Sequence, residues 1–216
     1  MKVVSLRVGT PQLLPYRGNL VATSIASRQE TDEPVELGIE GFTGDAVADP
    51  TVHGGPDKAA NCFPTEHLQR LADWMKIESL PQGAVGENLS LEGIVETDAH
   101  IGDVFKLGTA TVQVSQPRGP CFKLAAKWGV KNLPAKLSAD CASGFYFRTL
   151  DPGLVQAGNE LELVERGGDF TVAEVMRVTY VDRDDVGVMR AMLDEPALAE
   201  QWKDALRYFI GRAEAA

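Results

Sequence analysis

Residues 115–128 read SQPRGPCFKLAAKW, and the meaning of the rest of the chain depends on how they fold. Cys121 directly follows Pro120 and stands three residues after Arg118, with Lys123 and Lys127 beyond it at a helical spacing. Proline suits the first position of a helix, where its missing N–H would have no partner, and Gly129 supplies a stop. Between these marks Cys121, Leu124, Ala125 and Trp128 fall at i, i+3, i+4 and i+7, one helix face. The spacing predicts a helix opening at Pro120, with Cys121 in its first turn, where aligned peptide dipoles leave partial positive charge. Helix N-termini and basic neighbours favour the thiolate of a cysteine, the form that attacks electrophiles and binds metals.

The charge pattern around this stretch is unusual for the chain. From Val104 to Ala139 there are Lys106, Arg118, Lys123, Lys127, Lys131 and Lys136, and no Asp or Glu. The whole chain carries 31 acidic and 21 basic residues, a net charge of -10. At that density a segment of this length should hold about five carboxylates. One reading is an anion site with a thiolate in it. The other is a buried structural cysteine beside a solvated basic face. The residues alone leave both open.

Outward from the motif, residues 101–116 (IGDVFKLGTATVQVSQ) predict a hairpin: Val104–Leu107, a turn at Gly108, and a strand to Ser115. That strand feeds the cysteine motif, and loops at the ends of rigid strands commonly carry function. GFYFRTL (144–150) and ELELVE (160–165) predict two further strands, MKVVSLRVG (1–9) and LVATSIASRQ (20–29) two more. Val35, Leu37 and Ile39 alternate as in a half-buried strand. In TVHGGPDKAANCF (51–63), His53 is followed by Gly54, Gly55 and Pro56, so the backbone can turn tightly. This is either a loop that approaches a ligand or an ordinary connection with an exposed histidine. Thr65–Met75 predicts a helix capped by Thr65, with Leu68, Leu71 and Met75 as its apolar stripe. Gly83, Gly86 and Gly93 mark a loop around Glu87 and Asn88. The spacing of His53, Cys62 and His67 fits no standard structural zinc pattern.

From Asp169 the texture changes. Thr171 and Glu174 form a capping-box signature, DRDDVGVMRAML (182–193) predicts a second helix, and EPALAEQWKDALRYFIG (195–211) a third that ends at Gly211. The expected organisation is a mainly β domain over 1–168 and a three-helix extension over 169–216. The extension is too small to trust as an independent fold. It is expected to dock on the main domain or on a second copy in a homodimer.

A chain of 216 residues with 44% hydrophobic and 24% charged residues can bury one good core. Its acidic balance argues against nucleic acid as a partner. No run approaches the apolar length of a membrane span, and Arg7 and Gly9 interrupt the amino-terminal apolar stretch before it could serve as a signal peptide. Three cysteines at scattered positions suit a reducing compartment, so a cytoplasmic location is expected.

Taken together, GDAVADPTVHGGPDKA, GENLSLEG, IGDVFKLGTATVQVSQPRGPCFKL and the helical tail resemble the MOSC-domain proteins, and within them the bacterial YiiM-like subgroup with its three-helix extension. The resemblance runs from residue 20 to the carboxyl end. It implies a β-rich, barrel-like MOSC domain that binds the molybdenum cofactor, a pterin dithiolene with a terminal phosphate. The cysteine of the family's QPR-x-P-C-x-K-L motif, Cys121 here, is implied as metal ligand or reactive thiol. His53 and Lys58 of HGGPDK, and Asn88 of GENLS, match positions expected near pterin or substrate. Arg28 stands where the subgroup has a basic residue, and Arg118, Lys123 and Lys127 are implied to pair with phosphate or metal oxo groups. The implied activity is reduction of N-hydroxylated compounds such as N-hydroxylaminopurines, with His53 or a bound water as proton donor and electrons from a separate flavin or iron–sulfur reductase. The alternative is a non-catalytic carrier of the cofactor or of persulfide sulfur.

Overall fold

The computed structural model describes residues 1–215; residue 216, the last of the expected extension, lies outside the described residues. In chain order the elements are β1 (Lys2–Val8), β2 (Gln12–Tyr16), β3 (Asn19–Thr23), β4 (Gln29–Glu30), β5 (Val35–Gly38), β6 (Gly41–Phe42), α1 (Pro50–His53), β7 (Ala60–Pro64), α2 (Leu68–Met75) and β8 (Leu89–Glu92). They continue with β9 (Val104–Leu107), β10 (Ala110–Pro117), α3 (Lys123–Trp128), α4 (Leu133–Ala139), β11 (Phe145–Asp151), β12 (Gly153–Val155), β13 (Leu161–Glu165), α5 (Val172–Tyr180), α6 (Val186–Leu193) and α7 (Glu200–Glu214).

The hairpin upstream of the cysteine motif forms as its sequence predicts. Gly108 turns the chain at φ 59°, and β9 and β10 pair from Ala110 with Leu107 to Gln113 with Val104. On its other side β10 pairs with β11 as far as Pro117 with Phe145, so strand pairing holds the chain to the residue before Arg118. These strands belong to an eight-stranded sheet in the order β13-β9-β10-β11-β7-β8-β1-β4. Its pairs are antiparallel except β7 with β8. The two flanks of the sheet approach each other: Val3 N donates to Asn159 O at 2.9 Å, Leu161 N donates to Met1 O at 2.9 Å, and the backbones of Lys2 and Glu160 form an isolated antiparallel β-bridge. The result is a curled, mixed half-barrel.

Its interior is apolar. Phe145 and Phe147 meet edge to face with ring centroids 5.5 Å apart, Phe105 packs on Phe147 at 5.8 Å, and Leu6, Leu37, Leu89, Leu91 and Leu107 are fully buried around them. The third residue of the alternating run behaves differently: Ile39 lies beyond the end of β5 and is 44% exposed. Against the other side of the sheet, α2, α3 and α4 close a second cluster around Phe63, Leu71, Leu124, Leu133 and Leu137. Thr65 does not cap α2. It opens a 3-10 turn before the helix and its hydroxyl donates to Leu91 O at 3.0 Å.

The carboxyl-terminal helices share the barrel's core. Val175, Met176, Met192, Trp202 and Leu206 belong to the same buried cluster as Phe105 and Phe147, and Ala199 N donates to Ser115 O of β10 at 3.0 Å. The capping box forms, with Thr171 Oγ1 accepting from Glu174 N and Glu174 Oε2 accepting from Thr171 N. Helix α7 starts at Glu200 and runs through Gly211 to Glu214, later at both ends than its sequence suggests. Glycine weakens a helix interior by about 1 kcal/mol but stops a helix only where the backbone turns left-handed, and Gly211 is not among the positive-φ glycines.

Candidate functional site

The cysteine segment departs from its expected form. Helix α3 begins at Lys123, two residues after Cys121, and spans six residues. Cys121 lies in the loop ahead of it, its carbonyl accepting from Leu124 N at 3.1 Å. A helix this short contributes little dipole, so the positive character around Cys121 comes from side chains. Arg118 is fixed first: its backbone N donates to Gly144 O at 2.9 Å, and its buried guanidinium donates to Val85 O at 2.7 Å. Lys123 is 9% exposed, and among the described residues its ammonium has no hydrogen-bond or ion-pair partner.

The HGGPDK segment forms the opposite wall. Asp49 caps α1 by accepting from Thr51 N at 3.1 Å, which places His53 in the helix's last turn. Gly54 N then closes on Pro50 O at 3.1 Å, and Gly55, at φ 96°, reverses the chain into a 3-10 turn over Pro56–Lys58. Only glycine adopts that φ without strain. Arg148 holds the turn through Asp57 at 2.7 Å, and Ser115 Oγ donates to Asp57 O at 2.6 Å. Lys58 Nζ donates to Val52 O at 2.5 Å, leaving two of its N–H groups for a ligand.

Between these walls lies a cleft of about 270 Å³. Cys121, His53, Lys58, Arg118, Lys123, Arg28 and Asn88 all line it. Two of them have every side-chain polar atom engaged by protein. Arg28 makes a buried bidentate pair with Asp45 at 2.8 and 2.6 Å and donates to Gly86 O at 2.5 Å. Asn88 accepts from Asn61 N at 3.2 Å and donates to Arg7 O at 3.1 Å. Both shape the cleft by holding its loops. Lys127 turns away from it, donating to Gly83 O at 2.6 Å and Ile25 O at 3.2 Å, with burial lowering its pKa to about 8.

The electrostatics follow from this packing. Burial, then Lys123, Lys58 and Arg118, hold the His53 pKa below its ordinary value, with Asp49 opposing. Burial also lowers Lys58, against Asp57. The other two cysteines are in different surroundings: Cys62 is fully buried in the barrel core and burial pushes its thiol well up, while Cys141 is raised more modestly by burial. His67 pairs with Glu96 at 2.6 Å. His53, Cys62 and His67 therefore do not converge, and among the described residues no group of three or more His, Cys, Asp or Glu side chains could hold a metal.

Several site features were not legible beforehand. Glu87 is fully buried and anchors the loop before Asn88 by accepting from Gly83 N at 2.6 Å and Ser90 Oγ at 2.8 Å. Tyr146 on β11 lines the cleft, its phenol held protonated by burial. Asn61 on β7 is buried, and its Oδ1 has no hydrogen-bond partner. Its amide N–H faces Gly86 O at 3.5 Å, so the unpartnered atom is an acceptor awaiting a donor.

These features fit the group implied by the resemblance. An unpaired ammonium beside Arg118 and Lys58 suits a phosphate, an orphaned buried acceptor suits the N–H groups of a pterin, and a thiol suits a soft metal. Comparison with known proteins agrees on the class. Residues 49–162 match the MOSC domain family, and 170–207 match the YiiM-like, 3-alpha helix domain. The chain belongs to the MOSC family and carries the YiiM-type extension. It is 43% identical to the uncharacterized YflK protein of Bacillus subtilis (strain 168), covering 93% of this chain and 90% of that one. The crystal structure of YiiM from Geobacillus stearothermophilus superposes with a TM-score of 0.82 at 35% identity, over 97% of this chain and 98% of the other. A protein named Reductase from Gibberella moniliformis (strain M3125 / FGSC 7600) is 32% identical over 72% of this chain, which spans 28% of that protein. Among the described residues no helix is long and apolar enough to cross a membrane.

Proposed function

We propose that this chain is a molybdenum-cofactor oxidoreductase that reduces an N–OH group to N–H. The observation that carries the reading is the convergence of Cys121 with the unpartnered Lys123 ammonium and three further basic side chains, His53, Lys58 and Arg118, in one cleft. Family membership and the reductase-named relative support it.

Lys123, Lys58 and Arg118 would hold the cofactor's phosphate, Asn61 Oδ1 and the neighbouring loop its pterin, and Cys121 its metal. Bound there, the cofactor supplies two-electron reduction of the N–O bond, with electrons from a separate flavin or iron–sulfur reductase. The overall change takes up two electrons and two protons and releases the amine and water. Tyr146, kept as the phenol, donates a hydrogen bond to the departing hydroxyl. His53 takes a proton from solvent and delivers it; its lowered pKa makes it a strong donor once protonated. Arg28 and Asn88 keep the loops in place while the ligand changes.

The test is turnover of an N-hydroxylated base by protein made in a cofactor-competent host, with a reduced viologen dye as electron source. Wild-type protein should consume the dye with substrate, and Cys121→Ser should lose at least 100-fold, as expected when the metal's thiolate ligand is replaced. A Cys121→Ser protein with full activity would refute the assignment.

A further inference from the structure

Strands β2 and β3 stand apart from the barrel's sheet: among the described residues they pair only with each other. In their register Leu13 stands opposite Ala22 and Pro15 opposite Leu20, while Leu14 and Val21 form the pair between them and so point to the other side. That other side, with Leu14, Tyr16 and Val21, is half-buried, and β2 packs on α3. The outer side is apolar and open. Leu13 is 64% and Leu20 63% exposed, and Pro15 and Ala22 are exposed with them. Contiguous exposed apolar surface of this kind marks an interaction site. The hairpin also adjoins the cysteine cleft. Phe122, 50% exposed, sets its ring 5.6 Å from that of Tyr16 and directly follows Cys121, and β3 leads into Ser24 and Ile25 of the cleft wall.

The same surface lacks carboxylates. Gly9 to Gln29 contains no Asp or Glu, and the segment it packs on, Val104 to Ala139, contains none either. Arg28 is buried against Asp45, so the charge that the hairpin presents is Arg17 at its tip, with the guanidinium 5.1 Å from the centroid of the Tyr16 ring. Lys131 is exposed just beyond α3. On a chain of net charge -10, an acidic macromolecule is repelled by most of the surface and accepted at such a face.

We propose that the outer face of the β2–β3 hairpin, with Arg17 and Phe122, is the docking face for an acidic electron-transfer protein of the flavin or iron–sulfur kind. The proposal rests on the reductase reading, which needs such a donor, and adds where it docks. The carrier gives up the two electrons that N–O cleavage consumes and leaves oxidised, while the two protons come from solvent. A second copy of this chain is the poorer occupant on size. A stable interface takes about 20 or more residues a side, whereas transient redox encounters are the smallest class, and this face offers a handful.

The test uses two acidic carriers, a plant-type ferredoxin and a flavodoxin, titrated into full-length protein by calorimetry at low ionic strength. At least one should bind, and salt at about 0.5 M should abolish the binding. Leu13→Ser together with Leu20→Ser should weaken it about tenfold. Arg17→Asp, which reverses the charge with a residue that tolerates positive φ, should weaken it and flatten its salt dependence. These side chains are exposed, so the variants should melt as wild type does. In cofactor-loaded protein they should keep turnover driven by a viologen dye, which needs no docking, and lose about tenfold with the protein carrier. Binding of neither carrier, or equal affinity in wild type and variants, would overturn the proposal. So would a dimer in solution that the double leucine variant dissolves, since a second copy would then cover the face. Carrier binding that depends on Leu13, Leu20 and Arg17, by protein with no viologen-driven turnover, would keep the docking face and sink the reductase reading. Viologen-driven turnover with carrier binding indifferent to these residues would do the reverse.

Discussion

Lys123 and Lys127 stand one helical turn apart and have different roles. Lys123 keeps its ammonium free beside Cys121, whereas Lys127 bonds two carbonyls and is driven to a pKa of about 8. Spacing alone could not separate them, because a long lysine stem reaches either way from the same helix face. Between about pH 8 and the unfolded-state value the native Lys127 has released a proton that the unfolded chain retains, so stability should rise with pH across that window. Denaturant melts at pH 8 and pH 10 should show the rise in wild type and not in Lys127→Met. His53 has the same sign at lower pH. Its native pKa is depressed below 6.5, so its contribution to stability is lost as pH falls below that value. An anion beside Lys123, Lys58 and Arg118 offsets the part of the depression that those charges cause and leaves burial, the largest cause, in place, so binding of sulfate near pH 6.5 should take up protons. Calorimetry in buffers of different ionisation enthalpy should show the uptake in wild type and lose most of it in His53→Gln.

At the scale of elements, legibility followed local signals. The β9–β10 hairpin and the α5 capping box announce themselves through alternation, a turn glycine and a Thr–Glu pair. Strand β7 has no such pattern, because its five residues are all buried and a central strand covered on both faces shows no alternation. Helix α4 is hidden by its length of seven residues and by the proline in its first turn. The β2–β3 hairpin turns through Arg17 and Gly18 at positive φ, and only the glycine advertises it. Thr171→Ala should cost about 1 kcal/mol by removing the cap, measurable as a shift in urea midpoint. Gly144→Ala should cost more, about 3 kcal/mol or above. A Cβ there would lie 2.1 Å from Cys62 O at φ 87°, and the Gly144 amide is tied to Glu96 at 2.6 Å. The same melts, read at a fixed tryptophan wavelength, would measure both.

At the scale of the whole molecule, the half-barrel and the helical extension share one apolar cluster, which predicts a single cooperative unfolding transition. Ending the chain at 168 would expose the barrel surface that Val175, Met176 and Trp202 cover, and the shortened protein should precipitate or bind hydrophobic dyes. The class was legible because several ordered motifs recur together. Cleft construction was not, since Asn61 and Tyr146 are brought beside Cys121 only by strand pairing distant in sequence. The central claim is that the basic cleft holds a molybdenum pterin through Cys121 and Lys123. Its most direct test is the molybdenum and pterin content of full-length protein from a cofactor-competent host. The account predicts one of each per chain in wild type, with most lost in Lys123→Met. Wild-type protein that carries neither, while folding normally, would contradict it.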